Sequence, residues 1–255
     1  MRVWLVSVFL FLAPGVALAQ SLVAEASMWA YEQGDFEEAA TLADGSSDAD
    51  AYGIAARAIL AEIIVENTDP DPDVLDRAEA FARKALELDP KHVEARLQLA
   101  ISLSMRTRNM SKIQAWQSGH GQTARKLAEE VIADDPGNLY ADGFLSVWHT
   151  EAVRIGGRFG ASFVGAKVKA GKAHYARAHE LNPDDVGLHW QYARSLTLLN
   201  AKKHRRDIDE ALNRAINANQ DNAVERVFYQ RALELKSALA NGQLEAALEL
   251  AASLL

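Results

Sequence analysis

The sequence predicts an all-α protein, and three observations support that fold class. A short phrase of apolar residues, a polar pair and proline recurs at residues 85–90 (ALELDP), 131–136 (VIADDP) and 178–183 (AHELNP). Between these phrases, apolar residues recur at spacings of three and four, as on the buried face of a helix. No alternating run of β-branched residues predicts a strand. Each phrase therefore ends a helix, because proline cannot continue one.

The first half of the chain divides at turn signals. Gly34 ends the first helix, and residues 46–50 are polar and rich in residues that cap helix N-termini. Residues 67–73 hold two prolines and three aspartates, which predicts a turn. The helices predicted by apolar spacing in this half are residues 21–33, 36–43, 51–66, 74–88 and 92–108.

The second half has two long connections between helices. Residues 109–121 form a predicted loop that contains Trp116, and residues 156–165 (GGRFGASFVG) are rich in glycine. A short turn at residues 200–204 and the pair Asn241-Gly242 separate the last helices. The helices predicted in this half are residues 122–133, 139–155, 167–181, 186–199, 206–218, 223–240 and 244–254.

The N-terminus is typical of an export signal. Arg2 gives a positive start, residues 3–12 are apolar, and residues 17–19 (ALA) fit an A-x-A cleavage site. We expect residues 1–19 to be a signal peptide and the exported remainder to lack stable membrane insertion. An uncleaved anchor is the alternative. Because the chain has no cysteine, we expect neither disulfides nor a lipid anchor, and a bacterial periplasm suits it better than animal secretion.

The prolines of the recurring phrase lie 46 and 47 residues apart, which indicates a repeat. The helix before each proline carries small and apolar residues: Ala78, Ala85, Leu86, Leu88 and Pro90; Ala124, Ala128 and Pro136; Gly171, Tyr175, Ala178 and Pro183. In these residues the chain resembles the tetratricopeptide repeat (TPR) family, whose unit is a helix pair of about 34 residues. Leu99-Ala100 and Tyr192-Ala193 stand where that family has a leucine–glycine pair.

The resemblance implies a right-handed α-solenoid of stacked antiparallel helix pairs over residues 20–255. The repeats exceed the family's length, and the excess falls inside the pairs, at residues 105–121 and 155–168. In such a stack, the connections inside pairs lie on one edge and the connections between pairs lie on the other. The resemblance also implies a non-catalytic scaffold that binds a protein or peptide partner.

Charge is unevenly distributed along the chain. The formal net charge is −8, but residues 20–76 hold 14 acidic residues and one basic residue, whereas residues 77–255 are slightly basic. Three stretches that surround connections inside the pairs contain no Asp or Glu: residues 95–128, 152–179 and 186–206. We expect these stretches to form one basic edge that attracts an acidic partner.

Helix-dipole complementation is an alternative origin of this pattern, because Lys and Arg are favoured at helix C-termini. It accounts for Arg106, Arg108 and Arg154. It does not account for four residues at predicted helix starts: Arg125, Lys126, Lys167 and Lys169. We therefore interpret the basic stretches as a partner-binding edge. A further hypothesis is that the acidic residues before position 77 dock on the basic edge of another copy and form a homo-oligomer.

Two groups of residues are candidates for binding. In the glycine-rich stretch, Arg158 and exposed N–H groups could hold an anion, and Phe159 and Phe163 could contact a partner; packing of a hairpin tip is the alternative. Trp148 and His149 could line a groove or belong to the core. The full set of candidate binding residues is Arg106, Arg108, Trp116, Trp148, His149, Arg154, Arg158, Phe159, Phe163, Lys167, Lys169 and Trp190.

Catalytic and metal-binding patterns are absent from the sequence. His174 and His179 are five residues apart, off one helical face, and neither H-E-x-x-H nor G-x-S-x-G occurs. We expect no enzyme activity, no cofactor and, for an acidic exported chain, no nucleic-acid partner. The alternative function is a small-molecule-binding accessory component of a solute transporter, with a pocket inside the helical stack near Trp148, Phe163 and Trp190.

Overall fold

A computed structural model describes residues 14–67, 69, 71–108 and 110–253, with the side chains of residues 22–253 in those ranges except position 158. Within these ranges there are thirteen helices and no strand, which confirms the predicted all-α class. The helices are α1 (Pro14–Gln33), α2 (Phe36–Thr41), α3 (Ala49–Glu66), α4 (Pro72–Leu88), α5 (Val93–Arg106), α6 (Lys112–Ser118), α7 (His120–Asp134), α8 (Leu139–Phe163), α9 (Val168–Leu181), α10 (Val186–Asn200), α11 (Arg205–Asn217), α12 (Ala223–Ala240) and α13 (Leu244–Ser253).

Every predicted helix overlaps one observed helix, and two differences concern the region of the candidate site. Helix α6 forms inside the predicted loop 109–121, and α8 continues through the glycine-rich stretch as far as Phe163. The expected signal peptide, residues 1–19, lies mostly outside the described residues. None of the helices in the described part of the chain combines the length and apolar character that a membrane crossing requires.

The recurring phrase has one local structure in its three copies. Asp89, Asp135 and Asn182 follow the ends of α4, α7 and α9, with φ/ψ angles of −135°/101°, −136°/89° and −144°/101°. Each donates its N–H to the carbonyl four residues earlier and then leaves the helix, because the residue before proline is forced towards extended backbone. The next helix starts from a residue whose side chain caps its N-terminus: His92, Asn138 and Asp185.

Most consecutive helices pack against each other, α5 packs on α7 across the short α6, and alternate helices such as α1 and α3, or α8 and α10, also meet. Small residues occupy the close crossings: Ala78, Ala100 and Ala193 are fully buried. The tightest crossing joins α8 and α9, where a Cβ added to Gly171 would lie 2.8 Å from the carbonyl oxygen of Ser146. The pairs therefore bring backbones close together, as alanine and glycine permit.

The two ends of the described chain share a core. Ala30 and Phe36 belong to the same buried cluster as Trp190 and Phe228. Helix α12 also contacts α3 directly, and the Arg231 guanidinium donates a hydrogen bond to the carbonyl of Ile64, near the end of α3. The C-terminal helices consequently pack back onto the N-terminal third of the chain.

Candidate binding surface

Helix α6 lies on the surface, and side chains next to its N-terminus supply the hydrogen-bond partners for its first backbone N–H groups. The Ser111 hydroxyl accepts the N–H of Gln114, and the Gln114 side chain accepts the N–H of Ser111, which forms a capping box. Gly119 ends the helix with φ of 70°, a value that glycine adopts readily. No residue of α6 is buried, so its apolar residues Ile113 and Trp116 remain available to solvent.

A glycine redirects the end of α8. Gly157 has φ/ψ of 59°/−164° inside the helix, a conformation essentially restricted to glycine. Residues 158–163 then return to helical geometry, so the glycine-rich stretch is a short helical segment and not an open loop. Phe159 and Phe163 are four residues apart and therefore lie on one face of that segment.

Helix α6 and the end of α8 meet through their aromatic residues. The Trp116 and Phe163 rings approach edge to face with centroids 4.7 Å apart. Their exposed fractions remain 44% for Trp116 and 78% for Phe163, and the neighbouring Ile113 and Phe159 are 70% and 93% exposed. We call these four residues the aromatic patch. Large apolar side chains grouped at this exposure are typical of interaction surfaces.

Arg125 and Trp148 attach this surface to the body of the protein. The Arg125 guanidinium lies 5.0 Å from the centre of the Trp148 ring, binds the Glu129 carboxylate, and donates a 2.6 Å hydrogen bond to the Val164 carbonyl. The Trp148 indole N–H donates to the Gly121 carbonyl at 2.8 Å. Trp148, on α8, is therefore half buried and connects α8 to α7 through these contacts.

Exposed lysines lie in the same connections as the patch. Lys112 opens α6, while Lys167 and Lys169 follow the end of α8, and all three side chains are exposed. Within the described part of the chain these three ammonium groups form no ion pair. Their charge is consequently free to interact with an anionic partner. The side chain of Arg158, a further candidate, lies outside the described side chains.

His149 is a structural residue at the base of this region. It is buried, its ring stacks on His174 at 5.5 Å, and its Nδ1 accepts the N–H of Lys167 at 3.4 Å. Burial, followed by the neighbouring charges of His174 and Arg125, lowers the pKa of His149 to about 4. The imidazole is therefore neutral near pH 7 and fixes the start of α9 through its hydrogen bond.

Three of the four candidate arginines, those whose side chains the structure describes, are engaged in contacts within the chain. Arg106 binds the carboxylates of Asp76 and Glu79, on α4. Arg154 pairs with Glu151 one turn earlier on α8, with a 2.6 Å contact. Arg108 donates to main-chain carbonyls at the end of α13. Arg106 and Arg108 link their segment to α4 and α13, while Arg154 pairs within α8, so the charge of these three is less available than that of the lysines.

Trp190 is fully buried and packs in the core shared by the chain ends, so it cannot contact a partner at the surface. The described clefts lie away from Trp148, Phe163 and Trp190. One, of about 350 Å³, is lined by residues including Arg57, His92 and Glu94. Four of its polar side chains bind one another in pairs: Arg57 binds Glu94 with two hydrogen bonds, and His92 binds Asp50 at 2.8 Å.

Sequence reasoning placed Trp116, Phe159 and Phe163 among the candidates, and the geometry groups them in one patch. Lys112 lies in the predicted basic stretch 95–128, whereas Ile113 was missed. The signal that could have found Ile113 is Ser111 followed three residues later by Gln114, which predicts a helix start and would have put Ile113 and Trp116 three residues apart on one helical face.

Across the described residues, no group of three His, Cys, Asp or Glu side chains is arranged to hold a metal ion. Comparison with models of known protein families gives no match, and comparison with curated proteins gives none.

Proposed function

We propose that this protein is a non-catalytic scaffold, exported to the periplasm, that binds an acidic protein or peptide partner through the aromatic patch and its surrounding lysines. The architecture that we propose for it is a TPR-like right-handed α-solenoid of antiparallel helix pairs. The observation that carries the proposal is the meeting of two connections, distant in sequence, in one exposed aromatic and basic surface.

The order of helix contacts supports the repeat architecture. The most extensive contacts between helices join α3 with α4, α5 with α7, α8 with α9, and α10 with α11. The connection inside the first pair is the turn before α4, and the connections inside the other three pairs lie in the basic stretches. The shared geometry of Asp89, Asp135 and Asn182 supports the same conclusion, because an identical exit from each second helix directs the chain into the next pair in the same way.

Contacts between neighbouring connections support a common edge. Trp116 and Phe163 join the connection at 105–121 to the connection at 155–168. Further along, Arg205, the first residue of α11, donates a 3.0 Å hydrogen bond to the carbonyl of Leu239, near the end of α12. Such contacts are expected when hairpin tips follow one another along one side of a stack.

Charge and exposure together favour an acidic protein over other ligands. Trp, Tyr and Phe are enriched at the centres of protein interfaces, where they release apolar surface from water. Lys112, Lys167 and Lys169 surround the aromatic patch without an ion pair among the described residues, so they attract carboxylates in the first encounter. In the larger of the two described clefts, Arg57 and Glu94 bind each other, as do His92 and Asp50, which does not favour a small-molecule site there.

The proposal is tested by crosslinking in cells that export the protein. A photo-crosslinking phenylalanine analogue is placed at Phe163, and in a matched variant at Leu181, which is exposed at the end of α9 in a connection between pairs. We expect one acidic partner to crosslink at position 163 and not at 181. The double change Lys167→Glu and Lys169→Glu should suppress the crosslink. High salt should weaken it, because the Debye screening length falls from about 10 Å at 0.1 M to about 3 Å at 1 M.

Two outcomes would contradict the proposal. Equal crosslinking at positions 163 and 181, or none at 163, would show that the patch is not the binding surface. Binding to vesicles that contain phosphatidylglycerol, lost on Phe159→Ser and Phe163→Ser, would instead identify the patch as a membrane-docking surface.

A further inference from the structure

Helix α1 carries a second exposed tryptophan, separate from the aromatic patch. The side chain of Trp29 is 60% exposed, more than that of Trp116 in the patch, at 44%. Leu22, seven residues before Trp29, is 61% exposed, and this spacing places both side chains on one face of α1. Large apolar side chains that share an exposed face with polar residues around them are typical of interaction sites.

The same face of α1 is acidic. Glu25 lies four residues before Trp29 and Glu32 lies three residues after it, so both glutamates neighbour the tryptophan on the helix surface. Both side chains are exposed, and neither carboxylate forms an ion pair within the described part of the chain. Helix α1 contains no lysine or arginine that could neutralise them. We call Leu22, Glu25, Trp29 and Glu32 the acidic face.

The acidic face and the aromatic patch have complementary chemistry. Each combines exposed apolar side chains with charges that have no ion-pair partner: carboxylates on α1, and the ammonium groups of Lys112, Lys167 and Lys169 around the patch. Opposite potentials steer two such surfaces together, and contact between their apolar side chains removes both from water. Because the chain has a net charge of −8, a second copy also meets the requirement for an acidic partner.

The two surfaces do not cover each other within one molecule. Helix α1 packs on α2 and α3, whereas α6 packs on α7, and α8 packs on α7, α9 and α10. The large apolar side chains of both surfaces remain exposed. A contact between them therefore joins two molecules. Because the surfaces differ, this contact is head-to-tail, and it leaves one free surface at each end of the pair for further copies.

The size of the contact indicates a weak and reversible association. A large aromatic side chain buries about 150–250 Å² when it is fully covered. The acidic face offers Trp29 and Leu22, and the patch offers four apolar side chains, so the buried area lies at the small end, below about 1,200 Å², where transient encounters are found. We therefore expect association at high protein concentration and low salt.

We propose that the aromatic patch of one molecule binds the acidic face of a second copy of the chain. Trp29 then packs against the exposed rings of Phe159 and Phe163, and the two glutamates of the face meet the lysines around the patch. The inference rests on the proposed function, because it takes the aromatic patch as the binding surface and names a second copy as the partner.

The test measures the weight-average mass of the purified full chain by sedimentation equilibrium, at about 100 μM protein because the interface is small. At about 0.01 M salt, where the Debye length is about 30 Å, the mass should rise with protein concentration to at least about twice that of the monomer. At about 1 M salt, where this length is about 3 Å, the mass should return to that of the monomer.

Charge reversal identifies the two surfaces. The double change Glu25→Lys and Glu32→Lys should abolish the association, and so should Lys167→Glu and Lys169→Glu, because each leaves like charges on both surfaces. A chain that carries all four changes should associate again, since the two surfaces then have opposite charges once more. Misfolding of either double variant would not produce this recovery.

Two further variants complete the test. The double change Lys202→Glu and Lys203→Glu is the matched control, because it alters net charge equally at two exposed lysines in the turn after α10, and it should leave the association unchanged. Trp29→Ser should weaken the association at least about tenfold, because the exposed tryptophan supplies most of the apolar contact of its face.

A chain that stays monomeric at low salt would overturn the inference. The same holds for association that survives either double change, or that the four changes together do not restore. The crosslink at Phe163 separates this inference from the proposed function, because a product of two copies differs in mass from a product with another protein. A monomeric chain that crosslinks there to a different acidic protein would overturn this inference alone, whereas the loss of both results would overturn both.

Discussion

Acidification should destabilise this protein through His189, which is fully buried in α10. Its Nε2–H donates to the Pro183 carbonyl at 2.8 Å, and its Nδ1 accepts the Tyr175 hydroxyl at 2.9 Å. The Tyr175 oxygen in turn accepts a 3.2 Å hydrogen bond from Arg214. A proton on Nδ1 of His189 would point at the hydroxyl hydrogen of Tyr175, and the guanidinium of Arg214 lies next to that hydroxyl. The neutral imidazole is therefore required by this chain of hydrogen bonds.

The magnitude follows from the pKa of His189. Burial, together with the charges of His179 and Arg214, lowers that pKa from 6.5 to about 4, while the hydrogen bond to Pro183 and the charge of Asp184 act in the opposite direction. Because the unfolded state binds the proton more readily, the contribution of the neutral ring is complete above pH 6.5 and is lost as the pH falls towards 4. The free energy of unfolding should fall by roughly 2 kcal/mol from this residue alone between about pH 8 and pH 5.

His189→Gln isolates this contribution, because an amide N–H still reaches towards Pro183 but does not titrate. Near pH 8 the variant should be less stable by about 1–2 kcal/mol, since the Tyr175 hydroxyl loses its acceptor. Urea unfolding followed by circular dichroism at several pH values should show this difference closing by about pH 5. A constant difference between the two proteins across that range would refute the protonation account.

Alanine substitutions at two glycines should change the stability of the protein, and thermal unfolding measures each effect. Gly171→Ala should destabilise the protein by about 1–3 kcal/mol, because the new methyl group meets the backbone carbonyl of Ser146 at 2.8 Å; an unchanged melting temperature would contradict this close crossing. Gly157→Ala should cost about 1–3 kcal/mol through backbone strain alone, since its Cβ would meet nothing within 4 Å. Gly160→Ala is the control three residues later, where space is also open and the change should be neutral or slightly stabilising; equal losses at both positions would argue against the kink.

Local signals in this sequence were sufficient to predict most helices. The proline phrase at residues 85–90 predicts both the end of α4 and the start of α5, because proline acts on the residue before it and on the helix after it. The glycine-rich stretch was harder to interpret. Glycine permits both a loop and a kinked helix, and the contacts that the kinked segment makes, with Trp116 and Arg125, come from residues about 40 or more positions earlier in the chain.

The roles of Trp148 and Trp190 could not be separated from sequence for a related reason. Both lie on helices among apolar neighbours, and a helical pattern shows which face is apolar but not how deeply that face is covered. Trp190 has no exposed surface, in a core cluster that also contains Ala30 and Phe228. Trp148 stays half buried, in contact with Gly121 and Arg125 of α7. That difference depends on contacts between segments that are far apart in sequence.

The same reasoning explains why the basic stretches do not present all their charge to a partner. A guanidinium carries several donors in a plane, so it can bind carbonyls and carboxylates of neighbouring helices at once. Arg106 binds two carboxylates of α4, and Arg108 binds two carbonyls at the end of α13. Arg125 and Arg205 each bind a carboxylate of their own helix and a carbonyl of another segment.

Lysine behaves differently at the hairpin tips, because a hydrated ammonium on a flexible stem gains little from such fixed contacts. Lys112, Lys167 and Lys169 therefore stay exposed around the aromatic patch, while the arginines secure the helices behind it. Lysine-to-glutamate changes should then reduce partner binding without lowering the melting temperature, whereas Arg125→Ala should lower the melting temperature by breaking the link between α7 and the Val164 carbonyl. If both kinds of change reduced stability alike, this division of roles between arginine and lysine would be wrong.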